Sequence, residues 1–199
     1  MEIGNVSVKN FQVLIIDNFF SPNELDLVFN ECLFLCDDEK LKSAKETGSA
    51  THKDRLLKNN KGLFLQDVYL DQNISDILFF NKKMLEPNFV NHLISFDVVY
   101  RYIRYSNRLN TLLSYYENDD YYEPHCDESK ITAITWLFKT PKLFSGGDLI
   151  IENEWQIKCM DNRTVIFPSI LQHEVTKVEM QSENIGTKSG RFSITTFIE

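Results

Sequence analysis

Glycine and proline are scarce in this chain of 199 residues, at seven and five respectively. Such numbers exclude a collagen-like repeat and a Pro/Gly-rich disordered chain, both of which need several times as much. Cysteine is also sparse. Cys32, Cys36, Cys126 and Cys159 form no C-x-x-C pair, so neither a zinc ribbon nor a disulfide framework is written here. Cys32 and Cys36 fall one helical turn apart in an apolar pattern, the habit of free buried thiols, and a reducing cytoplasm fits them best. No apolar run reaches 18 residues, which argues against a membrane span. The opening MEIGNVSVKN lacks the basic lead and apolar stretch of a signal peptide. Positive charge is in deficit: the formal net charge of −8 speaks against a general nucleic-acid binder, which needs a basic footprint, but leaves room for a basic peptide substrate.

What the chain does have is aromatic residues, 15 Phe and eight Tyr, within an ordinary 43% hydrophobic and 25% charged composition. That suits one domain with a sheet-rich core and helical additions. FQVLIIDNFFSPNELDLVFNECLFL reads as strand, turn and helix. Ser21 is the N-cap, Pro22 the first helical residue, and Glu24 completes a capping box. Leu25, Val28, Phe29, Cys32 and Leu35 then recur at helical spacing, a face that packs on the outside of a sheet. Residues 37–62 are polar and patchily basic, either a solvated loop or a flap over a site. SDILFFNKKML is a second helix, and 96–105 is ambiguous between helix and strand.

From about residue 108 the texture changes to short strands separated by turn dipeptides such as Asn-Asp, Gly-Gly and Ser-Gly. The fold class expected is α+β with a mainly β core. It comprises a jelly roll over 108–199, with N-terminal helices from 1–107 packed on one of its sheets, in a single domain 1–199.

Within YYEPHCDES, His125 and Asp127 are two residues apart, so a strand would point both side chains into one pocket. They are two metal ligands or an ordinary hydrogen-bonded pair. His173, which opens a strand after VIFPSILQ, changes the balance. In a jelly roll that strand returns beside the first, and two imidazoles with one carboxylate make a facial triad that leaves positions open on a non-haem Fe(II). In GRFSITTFIE, alternation puts Arg191, Ser193, Thr195 and Phe197 on one face, with Phe192, Ile194, Thr196 and Ile198 on the other. An inward arginine needs a partner, and its planar fork suits a carboxylate.

LLSYYENDDYYEPHCD, ITAITWLF, FSGGDLIIE, VIFPSILQHEV and GRFSITTFIE together resemble the Fe(II)- and 2-oxoglutarate-dependent dioxygenases, in particular their prolyl 4-hydroxylase-like branch. The resemblance covers most of 111–199, and FFSPNELDLV resembles that branch's entry. It implies Fe(II) on His125, Asp127 and His173, with 2-oxoglutarate as cosubstrate held by Arg191, helped by Ser193 or Thr195. O2 completes the reaction and ascorbate serves as reductant. Tyr115 matches a strand position near the cosubstrate, and Trp136 stands where relatives carry a tyrosine on the same distal carboxylate. Tyr122, Phe197 and the flap residue Arg55 are the substrate-contact candidates.

Two departures stand out: Trp136 itself, and the long His173–Arg191 spacing, in which QSENIGTKSG reads as an inserted hairpin tip. Asp127 favours hydroxylation over halogenation, because related halogenases lack this carboxylate. Phe197 replaces the second arginine of the nucleic-acid demethylases, so no nucleic-acid substrate is expected. The implied activity is hydroxylation of an unactivated C–H, with succinate and CO2 released. The lead substrate is a prolyl residue in a peptide or protein; the alternative is a free amino acid or small metabolite. From another class, a non-catalytic jelly-roll metal-binding or interaction protein stays open. A monomer or weak dimer without membrane attachment is expected. A cupin-like metalloenzyme fits least, with only four histidines in the chain.

Overall fold

The computed structural model describes residues 2–36, 40–47, 51–52 and 55–199. Two antiparallel sheets face each other. The larger has eight strands in the order Glu2–Val8, Phe11–Asp17, Arg163–Pro168, Ile131–Leu137, Arg191–Ile198, Leu109–Tyr116, Lys61–Phe64 and Lys42–Ser43. The smaller runs Trp155–Ile157, Leu149–Ile151, His173–Val175, Tyr121–His125 and Lys58–Asn59. This is the expected jelly roll.

The helix Pro22–Leu35 starts where the capping pattern places it, and the Ser21 N–H donates to Glu24 Oε2 at 2.8 Å. Its Val28, Cys32 and Leu35 are buried against the outer face of the large sheet. Asp76–Asn81 and Pro87–Phe96 add Ile77, Leu78, Val90 and Leu93 to the same cluster, which Phe192, Ile194 and Ile198 meet from the closing strand. A second apolar cluster fills the space between the sheets, with Ile134, Trp136, Val165 and Phe167 facing Leu149, Ile151 and Val175. The helices therefore cover one face of the large sheet, and the other face looks into the barrel. All four cysteines are free, and among the described residues no helix is long and apolar enough to cross a membrane.

Three expectations are refined. The ambiguous stretch resolves into the end of Pro87–Phe96 and a 3-10 helix, Val98–Tyr105, because Asp97 caps the Val99 N–H and restarts the turn. The reading of 37–62 as one polar loop is corrected in its described parts. Lys42–Ser43 and Lys61–Phe64 extend the large sheet, while Lys58–Asn59 pairs with Tyr121 and Tyr122 at the edge of the small one. Residues 37–39, 48–50 and 53–54 of that expected flap lie outside the described residues, as does the His52 side chain. The inserted stretch before Arg191 is taken up by a short 3-10 turn, Ser182–Asn184, rather than a hairpin.

Candidate active site

His125 ends the strand Tyr121–His125, and His173 begins the strand paired with it; the two are direct cross-strand partners. Each imidazole bonds through Nδ1 to a backbone carbonyl, His125 to Glu123 O at 2.8 Å and His173 to Leu171 O at 3.0 Å. With Nδ1 as donor, both Nε2 lone pairs point inward, the tautomer a metal ligand requires. Asp127 completes the group: its carboxylate oxygens lie 3.7 Å from His125 Nε2 and 3.4 Å from His173 Nε2. Ligand atoms of the three residues all lie within 4.8 Å of one another. Burial, reinforced by neighbouring His173, pushes the His125 imidazole down to about 3, so it is neutral and free to ligate at physiological pH.

One detail differs from the strand argument. The strand stops at His125, so Asp127 lies just beyond it and is placed by its hydrogen bonds and not by strand alternation. Thr132 Oγ1 donates to Asp127 Oδ2 at 2.6 Å, Ser169 Oγ lies 2.8 Å from Thr132 Oγ1, and the Asp127 N–H donates to Ser169 O. Thr132 and Ser169 stand within the ITAITWLF and VIFPSILQHEV stretches, but their role in orienting Asp127 becomes visible only when the strands are paired.

A cleft of about 450 Å³ opens over the triad, and Arg191, Ser193, Thr195 and Phe197 all line it, as alternation requires. Arg191 is completely buried, with its guanidinium carbon 4.6 Å from the Tyr116 ring centre and 5.6 Å from that of Trp136. Its three guanidinium nitrogens have no hydrogen-bond partner among the described residues, nor does the buried Trp136 Nε1. Native proteins rarely bury such donors unpaired. Unmatched donors of this kind beside a triad are what a bound carboxylate would satisfy, so the residues present fit both a metal ion with open positions and a dicarboxylate cosubstrate. Gly147, from the GGDL stretch, makes the arginine's place. It has φ +69°, and a Cβ there would lie 2.7 Å from Arg191 Cδ.

Two candidates fall elsewhere. Tyr115 faces away from the cleft: its ring packs on Phe192 and its hydroxyl donates to Glu117 and accepts from the Gly190 N–H. Tyr116, one residue on and paired with Arg191, takes the cleft position instead. Strand alternation guarantees that only one of the two faces inward, and the register decides which. Arg55 is turned to Glu123 in a two-pronged pair, 2.8 Å at the first prong, and does not line the cleft. Tyr122 does line it, its ring stacked at 3.5 Å on His125. Sequence reading missed Lys58, a buried cation in the cleft wall whose segment looked like solvated loop.

Comparison with known proteins adds a family match for part of the chain and a shared fold. Residues 111–199 match the family model of the 2OG-Fe(II) oxygenase superfamily. No curated protein matches the sequence. Among solved structures, a Pseudomonas putida prolyl-4-hydroxylase superposes with a TM-score of 0.65 at 14% identity, covering 94% of this chain and 91% of that one. A Trichoplax adhaerens prolyl hydroxylase, solved with a hypoxia inducible factor peptide fragment, also gives 0.65, at 17% identity over 94% and 82%. The collagen prolyl hydroxylase of Paramecium Bursaria Chlorella virus-1, in its 2-oxoglutarate complex, gives 0.53 at 15% identity over 94% of both chains. At such identities the structures establish the fold alone, and the family model bears on residues 111–199. Residues 111–199 are thus similar to the 2OG-Fe(II) oxygenase superfamily, and the chain as a whole adopts a fold similar to that of the prolyl 4-hydroxylases.

Proposed function

We propose that the cleft hydroxylates an unactivated C–H, with a prolyl residue in a peptide or protein as the lead substrate. His125, Asp127 and His173 hold Fe(II), and Arg191 holds the distal carboxylate of 2-oxoglutarate. When bound, the metal, cosubstrate and O2 supply the oxidising chemistry, with succinate and CO2 as by-products. The chain's own residues do the positioning. Arg191 offers its fork to the carboxylate, Trp136 lies on the neighbouring strand with its Nε1 unpaired, the Ser193 and Thr195 hydroxyls follow on the arginine's own strand, and Tyr116 stacks beneath the guanidinium. Tyr122 holds the His125 ring flat, and Thr132 fixes the carboxylate of Asp127. Ile134 and Phe197 present apolar surface that keeps water from the reacting carbon.

The observation that carries this reading is the wholly buried, unpaired Arg191 in the same cleft as the triad. The prolyl substrate is supported by a fold shared with a prolyl hydroxylase solved with a peptide fragment. The test is an anaerobic titration of wild type and Arg191→Ala with Fe(II) and then 2-oxoglutarate, following the visible metal-to-ligand charge-transfer band. Wild type gives the band, and the variant needs on the order of 100-fold more 2-oxoglutarate to reach it, the cost of losing a buried charged partner. Equal demand in both proteins would remove Arg191 from the cosubstrate site.

A further inference from the structure

We infer that Lys58 is a substrate-recognition cation, and that the cleft takes a substrate bearing a carboxylate beside the carbon to be hydroxylated. This rests on the dioxygenase reading above and names the charge its substrate must carry.

The placement comes first. Lys58 is the cross-strand partner of Tyr122 on the edge of the small sheet, so the two side chains share the face that looks into the cleft. Tyr122 lies flat on His125, and Lys58 Nζ stands 5.6 Å from the centre of the same tyrosine ring. The lysine is therefore one aromatic ring removed from the metal-site histidine. It is only 4% exposed.

The second observation is what Lys58 lacks. An ammonium has three donors. Lys58 gives one to Thr47 O at 2.8 Å, and among the described residues no carboxylate comes within ion-pair distance. The other acidic groups of the cleft wall are Asp127, committed to the triad, and the exposed Glu128 and Glu199 at its rim. Nearby Glu123 is already taken by Arg55. Burying a cation with one carbonyl and one tyrosine ring as its close partners is unfavourable, and desolvation, only partly opposed by the charge of Asp127, lowers the Lys58 ammonium to about 8. A neutral amide would latch Thr47 as well without that cost. The charge is explained if a ligand meets it.

Charge balance identifies the ligand. Of the two ends of 2-oxoglutarate, the distal carboxylate is matched by Arg191 and the other belongs with the metal. Neither is left for Lys58, so the remaining positive charge falls to the substrate, and the compact ammonium suits a carboxylate as a point charge. That carboxylate has two sources: the free carboxylate of an amino acid, or an acidic side chain flanking the target residue in a peptide.

The test uses the full chain loaded with Zn(II) and 2-oxoglutarate, which turns nothing over. The Lys58 ε-methylene signal in NMR, assigned by its loss in Lys58→Met, is followed during titration with acetate and with acetamide, its neutral isostere. The expected result is a saturable shift, with acetate favoured on the order of tenfold or more over acetamide. L-proline is then compared with L-prolinamide, and acetyl-Glu-Pro-amide with acetyl-Gln-Pro-amide, in wild type and Lys58→Met. The pair whose acidic member wins only in wild type identifies the source. Equal response to acetate and acetamide, or a carboxylate preference that survives in Lys58→Met or is missing from both pairs, overturns the inference. Binding of 2-oxoglutarate is read on the same samples and on Arg191→Ala. Normal, Arg191-dependent cosubstrate binding with no carboxylate preference removes Lys58 alone, whereas loss of that dependence removes the dioxygenase reading beneath it.

Discussion

At the scale of single residues, the site depends on atoms that are absent as much as on those that are present. Gly147 has no Cβ, and the Arg191 stem runs through the space a Cβ would fill, 2.7 Å away. Its φ of +69° adds a backbone cost for any side chain. Gly147→Ala should therefore displace the guanidinium while leaving the triad alone. In a binding titration, 2-oxoglutarate affinity falls by on the order of tenfold or more and metal affinity holds; an unchanged cosubstrate affinity would refute the cradle. A second residue titrates outside the metal site. Asp120 is buried enough that its carboxyl rises to about 6 from an ordinary value of 3.8. Between those values the folded state keeps a proton that the unfolded chain has released, so stability falls as pH rises across that window. Asp120→Asn, which can still accept the Glu117 N–H bond, should stabilise the protein above pH 6 and change nothing below about pH 4. Discounted for partial solvent screening, the gain is about 1 kcal/mol. Thermal melts across that range test it, and a pH-independent difference would contradict the sign.

At the scale of elements, the strand Arg191–Ile198 divides the labour of the protein between its two faces. Phe192 is wholly buried in the helix-covered cluster against Phe29 and Tyr115, whereas Phe197 is half-buried at the cleft. Phe192→Ala should cost about 3–5 kcal/mol of unfolding free energy. Phe197→Ala should cost well under half of that, since its ring gives up little core contact; denaturant melts of the two variants check the contrast. This division was legible in the sequence because alternation is local. The capping box at Ser21 was legible for the same reason. What local pattern could not supply was register. Tyr115 and Tyr116 are equal candidates until Tyr116 is seen paired with Arg191. Asp127 reads as a strand residue until Thr132 and Ser169 are seen holding it beyond the strand's end. Lys58 looks like loop charge until its two-residue strand is found beside Tyr122. Each of these depends on a pairing between distant segments.

At the scale of the whole molecule, the sheets meet at the metal site. His125 and His173 come from the small sheet, while Asp127 is tied through Thr132 to a central strand of the large one. A divalent ion bound there links two layers that are otherwise held by the apolar cluster between them. Because the triad exists only when both layers are in place, metal binds the folded state and not the unfolded chain. Stability must then rise with metal concentration, by about 2.7 kcal/mol at a free metal concentration one hundred times the dissociation constant. Asp127→Ala removes the one charged ligand and a buried carboxylate together. The metal-free variant should melt near the wild type, because the lost Thr132 bond is offset by relief of a buried charge, yet added Zn(II) should no longer raise its melting temperature. If Zn(II) stabilises wild type and Asp127→Ala equally, the ion acts elsewhere and the two sheets are joined by packing alone.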